Sequence, residues 1–235
     1  MALDTLDSNA PKSRLDLVTG TKVTANGNFY VWYNQNSSGN EGYLPNTFSA
    51  GQNYKTLDGG DVQSLLTFDC AGGATADQLD LSVGTKSPTA NQGTIEIWAS
   101  DNAATPTFSR VETYPPAGLI PGGTLGEVTC MALADFDGDG RKDLVVGTKN
   151  GTYQGKIVFF RNVSKVTGAR FVFAGSFDVG NEAVTSLACT DIDTDGFVDV
   201  VIGTQSSTSS GTLEFWKNNN NSVGYGAFDF SMKRR

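Results

Sequence analysis

Residues 128–148, VTCMALADFDGDGRKDLVVGT, and residues 184–204, VTSLACTDIDTDGFVDVVIGT, are two copies of one sequence unit. Their aspartate, glycine and apolar positions coincide, and the equivalent residues Asp143 and Asp199 are 199 − 143 = 56 positions apart. Self-similarity at a fixed period is typical of folds that are built from one repeated supersecondary unit. The structure of this unit therefore determines the fold.

Two weaker copies of the unit precede these. Residues 62–85 carry the same frame with three extra residues in the acidic segment, and residues 1–21 carry it with the beginning missing. Asp16, Asp80 and Asp143 are equivalent, at separations of 80 − 16 = 64 and 143 − 80 = 63 residues. The repeat predicts one domain of four units, the first with a truncated first strand: 1–61, 62–127, 128–183 and 184–235.

Each unit continues with a Gly-Thr pair, a polar turn and a short aromatic run. The aromatic runs end at equivalent residues, which are Trp32, Trp98, Phe160 and Trp216. Alternating apolar positions and Gly-rich separators favour strands and hairpins. For the third unit they predict four strands, at Val128–Ala134, Asp143–Gly147, Lys156–Arg161 and Arg170–Phe173. The chain is therefore predicted to be an all-β protein, a β-propeller of about four four-stranded antiparallel blades.

An acidic loop with the spacing D-x-D-x-D-G-x-x-D occurs in the third and fourth units. Calcium prefers six to eight hard oxygen ligands, and a tightly turning chain offers alternate side chains to one centre. The spacing predicts two calcium sites, in which carboxylates at loop positions one, three, five and nine and the backbone carbonyl of position seven are the ligands. These ligands are Asp135, Asp137, Asp139, Arg141 and Asp143 at one site, and Asp191, Asp193, Asp195, Phe197 and Asp199 at the other.

The alternative interpretation of these aspartates is a solvated turn, since Asp and Gly are ordinary turn residues. Four carboxylates crowded into nine residues repel one another, which favours a counter-cation, and magnesium fits less well because it requires a stricter octahedron. The corresponding loops of the first two units, Asp7–Asp16 and Asp69–Asp80, are longer and carry fewer carboxylates. Metal binding by these two loops is left open.

The two complete loops, each followed by a strand that ends in Gly-Thr, resemble FG-GAP/VCBS-type repeats, the unit of integrin α-subunit propellers and of many bacterial surface proteins. The resemblance covers nearly the whole chain as four consecutive units. It implies a structural calcium ion in each complete loop, at one rim of the propeller. Members of that family usually close with about seven blades. The alternatives for four units are a closed four-bladed ring, a segment of a longer propeller, or an assembly of copies.

Composition excludes several classes of function. The chain has 235 residues and a formal net charge of −8, which argues against nucleic-acid partners. It contains no histidine, so catalytic triads with His and zinc sites that need an imidazole are excluded. Its three cysteines form no zinc pattern. No segment is apolar enough to insert into a membrane, and any secretion signal or anchor is expected outside this chain.

These features together predict a calcium-stabilised, non-enzymatic propeller module of a secreted or cell-surface protein. Its expected roles are adhesion, protein–protein interaction or surface assembly, with a protein or glycan ligand bound through surface loops and self-assembly as a further option. One alternative is a lectin-like module in which the equivalent aromatic residues stack on sugars, although burial between blades explains these residues more simply. A weaker alternative is an enzyme that acts on polysaccharides.

Overall fold

The computed structural model describes four antiparallel β-sheets of four strands each, and its described part contains no helix. The described residues are 1–4, 6, 16–22, 27–34, 48, 51–57, 59–69, 79–88, 92–101, 103, 105–114, 125–163, 170–219 and 230–234. Within each sheet, every strand pairs with the next along the chain, so each sheet is a meander. This is the blade architecture of a β-propeller, and the predicted fold class is confirmed.

The sixteen strands fall into sheets 1 to 4 in chain order. Sheet 1 contains β1 (Ala2–Asp4), β2 (Asp16–Gly20), β3 (Asn28–Trp32) and β4 (Gln52–Lys55). Sheet 2 contains β5 (Asp61–Phe68), β6 (Asp80–Lys86), β7 (Ile95–Ser100) and β8 (Phe108–Tyr114). Sheet 3 contains β9 (Glu127–Ala134), β10 (Asp143–Lys149), β11 (Lys156–Asn162) and β12 (Phe171–Asp178). Sheet 4 contains β13 (Ala183–Thr190), β14 (Asp199–Gln205), β15 (Leu213–Asn218) and β16 (Phe230–Arg234).

The threonine of each Gly-Thr pair closes the hairpin between the second and third strands of its sheet. Its hydroxyl oxygen accepts a hydrogen bond from a backbone N–H at the start of the third strand, at 3.0–3.1 Å in all four sheets. The pairs are Thr21 with Asn28, Thr85 with Thr94, Thr148 with Lys156 and Thr204 with Thr212. The repeated Gly-Thr is therefore a turn-closing element as well as the end of a strand.

Three hydrophobic cores lie between successive sheets. The first joins sheets 1 and 2 around Phe29 and Trp98, the second joins sheets 2 and 3 around Tyr114 and Phe160, and the third joins sheets 3 and 4 around Phe159. Within the described part of the chain, no core cluster joins sheet 4 to sheet 1, and no pair of their strands has more than isolated contacts. The described residues thus form an arc of four blades with two free ends.

The glycine of each Gly-Thr pair makes room for the following sheet. In three sheets, a β-carbon added at this glycine would lie only 2.3–2.6 Å from a Cγ1 atom of a valine in the next first strand. The pairs are Gly20 with Val62, Gly84 with Val128 and Gly147 with Val184. At Gly203 in sheet 4, the nearest atom to such a carbon belongs to Ser186 of the same sheet. The glycines therefore set the close approach of neighbouring blades.

Among the described residues, no helix has the length and apolarity needed to cross a membrane.

Candidate metal centre

The two complete acidic loops connect the first and second strands of sheets 3 and 4. Each loop turns through two left-handed backbone positions, with φ of 73° at Gly138 and 86° at Gly140 in the first loop, and 62° at Thr194 and 92° at Gly196 in the second. A β-branched residue rarely adopts a positive φ. Thr194 is therefore held there by the rest of the loop, which repeats the turn made by Gly138.

The tight turn brings alternate carboxylates together. Carboxylate oxygens of Asp135, Asp137 and Asp143 all lie within 4.8 Å of one another. In the second loop, those of Asp191, Asp193 and Asp195 do the same. The other predicted carboxylate ligands, Asp139 and Asp199, lie outside these two groups. The backbone carbonyls of Arg141 and Phe197 stay predicted ligands. For the backbone of these two residues, the described hydrogen bonds are those that the N–H groups donate, to Asp139 and Asp195 respectively.

The first aspartate of each loop folds the loop over itself. The two carboxylate oxygens of Asp135 accept the N–H groups of Asp139 at 3.1 Å and Gly140 at 2.8 Å. Asp191 accepts the equivalent N–H groups, those of Asp195 at 3.2 Å and Gly196 at 2.9 Å. The backbone is therefore held in a ligand-ready turn by one of the candidate ligands.

The last aspartate of each loop is buried and fastens the loop to the sheet. Asp143 accepts the N–H of Phe136 in the loop at 3.0 Å and the N–H of Asn162 in the third strand at 2.8 Å. Asp199 accepts the N–H groups of Ile192 at 2.9 Å and Asn218 at 2.8 Å in the same way.

The same fastening occurs in the sheets that lack a complete acidic loop. Asp16 accepts the N–H groups of Leu6 and Asn34, both at 2.8 Å, and Asp80 accepts that of Ser100 at 2.8 Å. We call the set Asp16, Asp80, Asp143 and Asp199 the aspartate clamp. The clamp is present in all four sheets, including the two that lack a complete acidic loop, so fastening the loop to the sheet is a role shared by the whole repeat.

Burial and negative charge act on the first site together. Burial is the main cause that raises the pKa of Asp143, to about 7, and the negative charges of Asp137 and Asp139 contribute to the increase. The two hydrogen bonds that Asp143 accepts from backbone N–H groups act in the opposite direction and lower the pKa. One buried oxygen of Asp137, Oδ2, forms an ion pair with Arg161 Nε at 2.5 Å. This oxygen is therefore already paired with a side-chain cation, which a metal ion would have to displace.

Two basic residues that the sequence reasoning missed point into these loops from the third strand. Arg161 pairs with Asp137 and reaches Asp139 at 3.7 Å, and Lys217 pairs with Asp193 and with Asp195 at 2.6 Å. The hydrogen bonds that Lys217 donates to Asp193 and Asp195 raise the pKa of Lys217, and the same ammonium group lowers the pKa of Asp195.

Arg161 and Lys217 are equivalent in the repeat, 217 − 161 = 56 positions apart, directly after the third-strand aromatic residue. Tyr33 and Ala99 stand at this position in the first two units, which lack the complete loop. The signal was therefore in the sequence, as a basic residue that appears only where the loop is fully acidic.

The corresponding loops of sheets 1 and 2 fall on residues 7–15 and 70–78, outside the described residues. The metal-binding capacity of these loops stays a prediction.

The equivalent aromatic residues of the third strands lie mostly between sheets. Trp98, Phe160 and Trp216 are buried, and each Trp indole N–H donates at 3.1 Å to a glutamate two residues earlier. Trp32 is half-buried. Buried rings offer no open face to a sugar, so their positions favour a packing role over a lectin-like one. The thiols of Cys130 and Cys189 are half-buried, and burial raises their pKa to about 11 and about 12.

Comparison with known families identifies one segment. Residues 135–202, which contain both complete acidic loops, match the FG-GAP-like repeat family. No curated protein matches the chain. The chain therefore carries an FG-GAP-like repeat, and the resemblance derived from the two loops is confirmed for this segment.

Proposed function

We propose that this chain is a calcium-stabilised, non-enzymatic β-propeller module of a secreted or cell-surface protein, and that it mediates adhesion, protein–protein interaction or surface assembly. The observation that carries the proposal is the convergence of three carboxylates in each complete loop. FG-GAP-like repeat domains are generally non-catalytic and typical of extracellular proteins, which supports the same interpretation of the matched segment.

Charge counting supports a divalent cation at both loops. Counted with every carboxylate ionised, the four aspartates of the sheet 3 loop contact two basic side chains, those of Arg141 and Arg161, which leaves −4 + 2 = −2. Among the described residues, Lys217 is the one basic side chain that contacts the four aspartates of the sheet 4 loop, which leaves −4 + 1 = −3. Since the described basic residues neutralise neither loop, one divalent ion at each would remove most of the remaining repulsion.

The donor set also fits calcium. All side-chain donors are carboxylate oxygens, the hard ligands that calcium prefers, and the set contains no sulfur or imidazole that would favour a transition metal. At the sheet 3 loop the candidate ligands include the buried Asp137 Oδ2, which is paired with Arg161 when no ion is bound. A bound calcium ion would supply the positive charge that holds the clustered carboxylates in place.

The competing explanation is that Arg161 and Lys217 alone act as the counter-cations. The two explanations differ in a measurable way, because a lysine or arginine is covalently attached and responds to neither calcium nor chelator. Calcium would also have to displace Arg161 from Asp137 and Lys217 from Asp193 and Asp195, and both basic side chains are long enough to move aside toward solvent.

The test is thermal unfolding with excess calcium and then with chelator. A ligand that binds only the folded state at about 100 times its Kd adds ~2.7 kcal/mol per site, so two sites add roughly 5 kcal/mol. For a chain of this size this corresponds to an increase in Tm of about 10–20 °C. The double variant Asp137→Ala/Asp193→Ala should lose this increase.

Two controls make the test specific. Magnesium in place of calcium should raise Tm less, because it requires stricter octahedral geometry. Asp178→Ala removes an exposed acidic group of sheet 3 that lies outside both loops, and it should keep the full calcium response. A wild-type Tm that is the same in calcium and chelator would show that the loops are turns held by their own basic residues.

The proposed partners are a protein or a glycan bound through the loops at the blade rims. The glycan alternative is weaker, since three of the four equivalent aromatic residues are buried. Binding to a glycan array that requires calcium would favour it. Capture of a protein ligand without any glycan binding would favour an adhesion or assembly role.

A further inference from the structure

Sheet 4 exposes a face that is an interface in every other sheet. In sheet 3, Val145, Ile157 and Phe159 pack against sheet 4 and are fully buried. The repeat places Val201, Leu213 and Phe215 at the equivalent positions of sheet 4, on the side away from sheet 3. Leu213 is 53% exposed where Ile157 is 0% exposed, and Val201 and Phe215 are half-buried.

The same face continues into the loop and the first strand. Ile192 is 41% exposed, whereas its equivalent Phe136 is 2% exposed and fills the space between sheets 3 and 4. Ser186, Ala188 and Thr190 of β13 are likewise exposed. We call Ile192, Val201, Leu213 and Phe215 the sheet 4 face.

Sheet 1 has the complementary free face at the other end of the arc. Leu17, Thr19, Tyr30 and Trp32 point away from sheet 2, and we call them the sheet 1 face. All four are half-buried, whereas their equivalents in sheet 2 are buried against sheet 1. The Trp32 indole N–H donates to Thr19 Oγ1 at 3.3 Å, and the rings of Tyr30 and Trp32 lie 6.1 Å apart.

The interface between sheets 1 and 2 shows how such faces fit together. Trp98 of sheet 2 packs edge-on against Phe29 of sheet 1, with ring centroids 5.0 Å apart. Trp32 is the repeat equivalent of Trp98, and Leu213 is the equivalent of Phe29. A sheet 1 face laid on a sheet 4 face in the same geometry would therefore place Trp32 on Leu213.

We propose that two copies of this chain associate head to tail, with the sheet 4 face of one copy packed against the sheet 1 face of the second. The three internal interfaces establish the geometry, and the side chains that form the two faces carry no charge, so burying them leaves no ion unpaired. The proposal deepens the assembly role named above by identifying the partner. It depends on the fold and needs no calcium.

The contact should be weaker than an internal one. In the internal interfaces a valine of the next first strand covers the Gly-Thr glycine, as Val62 covers Gly20. The described strand β1, Ala2–Asp4, contains no valine that could cover Gly203 in the same way. Each copy also carries a net charge of −8, so added salt should strengthen association by screening the repulsion between copies.

The test uses one charged substitution on each face. Leu213→Lys modifies the sheet 4 face and Tyr30→Lys modifies the sheet 1 face. Val111→Lys is the matched control, because Val111 is also an exposed apolar strand residue and the repeat carries Lys233 at the equivalent bulge position of sheet 4. Circular dichroism establishes that each variant is folded, and analytical ultracentrifugation measures mass against concentration.

We expect the wild-type chain and Val111→Lys to increase in mass with concentration, and each single-face variant to stay monomeric. An equimolar mixture of Leu213→Lys and Tyr30→Lys should form dimers and nothing larger, because one intact face of each kind remains. The double variant Leu213→Lys/Tyr30→Lys should stay monomeric even at high concentration. This mixing pattern is specific for a heterologous interface.

A wild-type chain that is monomeric at all concentrations would overturn the proposal. So would a mixture that stays monomeric, or a Leu213→Lys variant that still assembles. If the monomer instead loses Tm on substitution of either face, the two faces meet within one chain and the ring is closed. The calcium response of Tm is measured separately, so failure of one proposal leaves the other standing.

Discussion

Gly84→Ala is expected to destabilise the protein because it pushes sheets 2 and 3 apart. The added methyl carbon would lie 2.5 Å from Val128 Cγ1 and 3.1 Å from Met131 Sδ, both in the next sheet. Since carbon atoms pack at about 3.5–4.0 Å, one sheet has to move by about 1 Å. Overpacking of this kind costs roughly 1–3 kcal/mol.

Thermal unfolding measures this effect directly. For a chain of this size, 1 kcal/mol shifts Tm by about 2–4 °C, so Gly84→Ala should lower Tm by roughly 2–12 °C. The matched control is Gly203→Ala, the same substitution in sheet 4, where the nearest atom is the Ser186 hydroxyl at 2.6 Å. A side-chain end can rotate away, so the control should cost less than about 1 kcal/mol.

The comparison is made at low protein concentration, where copies are separate. If Gly203→Ala lowers Tm as much as Gly84→Ala, the cost comes from the glycine backbone itself and not from the neighbouring sheet. The close approach of blades would then not explain the repeated glycine.

Three further predictions concern the closure of a hairpin, the competition between Lys217 and calcium, and the buried thiols. Thr85→Val removes the hydroxyl that closes the hairpin of sheet 2 and should cost about 1 kcal/mol in urea unfolding, with Thr85→Ser restoring most of it. Lys217→Met removes the ammonium that pairs with the sheet 4 loop, so calorimetric titration should show tighter calcium binding to this variant than to the wild type. Unchanged affinity would mean that the ammonium does not compete with calcium for Asp193 and Asp195. In a Cys70→Ser variant, Cys130 and Cys189 should react slowly with a thiol reagent at about pH 8 and fast once unfolded, because burial raises the pKa of both. Since the raised pKa of Cys130 is about 11 against 9.0 when unfolded, its contribution to stability is present below pH 9.0 and is lost as the pH rises toward 11.

The architecture could be predicted because the same pattern of strands and turns occurs in all four sequence units. The predicted strand Val128–Ala134 is observed as Glu127–Ala134, and the two following strands also agree within two residues. The outer strand was predicted too short, as Arg170–Phe173 instead of Phe171–Asp178. A bulge breaks its apolar alternation, since Phe160 pairs with Phe173 but Phe159 pairs with Gly175.

The candidate site was only partly predictable. The spacing of Asp135 and Asp137 indicated their convergence because it depends on local turn geometry, which the sequence encodes within a few residues. The approach of Arg161 depends on the pairing of β10 with β11, a contact between distant segments that spacing alone does not reveal. The clamp role of Asp143 was missed for the same reason, since one of its partners lies 19 residues away.

The arrangement of three cores between four sheets has a consequence for how the protein comes apart. Among the described residues, the hydrophobic cores join each sheet only to its neighbours in sequence, so stability should be close to a sum of nearest-neighbour terms. Sheets 2 and 3 are held from both sides, whereas sheets 1 and 4 are held from one, so amide hydrogens should exchange fastest at the two ends. Of these ends, only sheet 4 carries a complete acidic loop, and an ion bound there would protect that end from fraying.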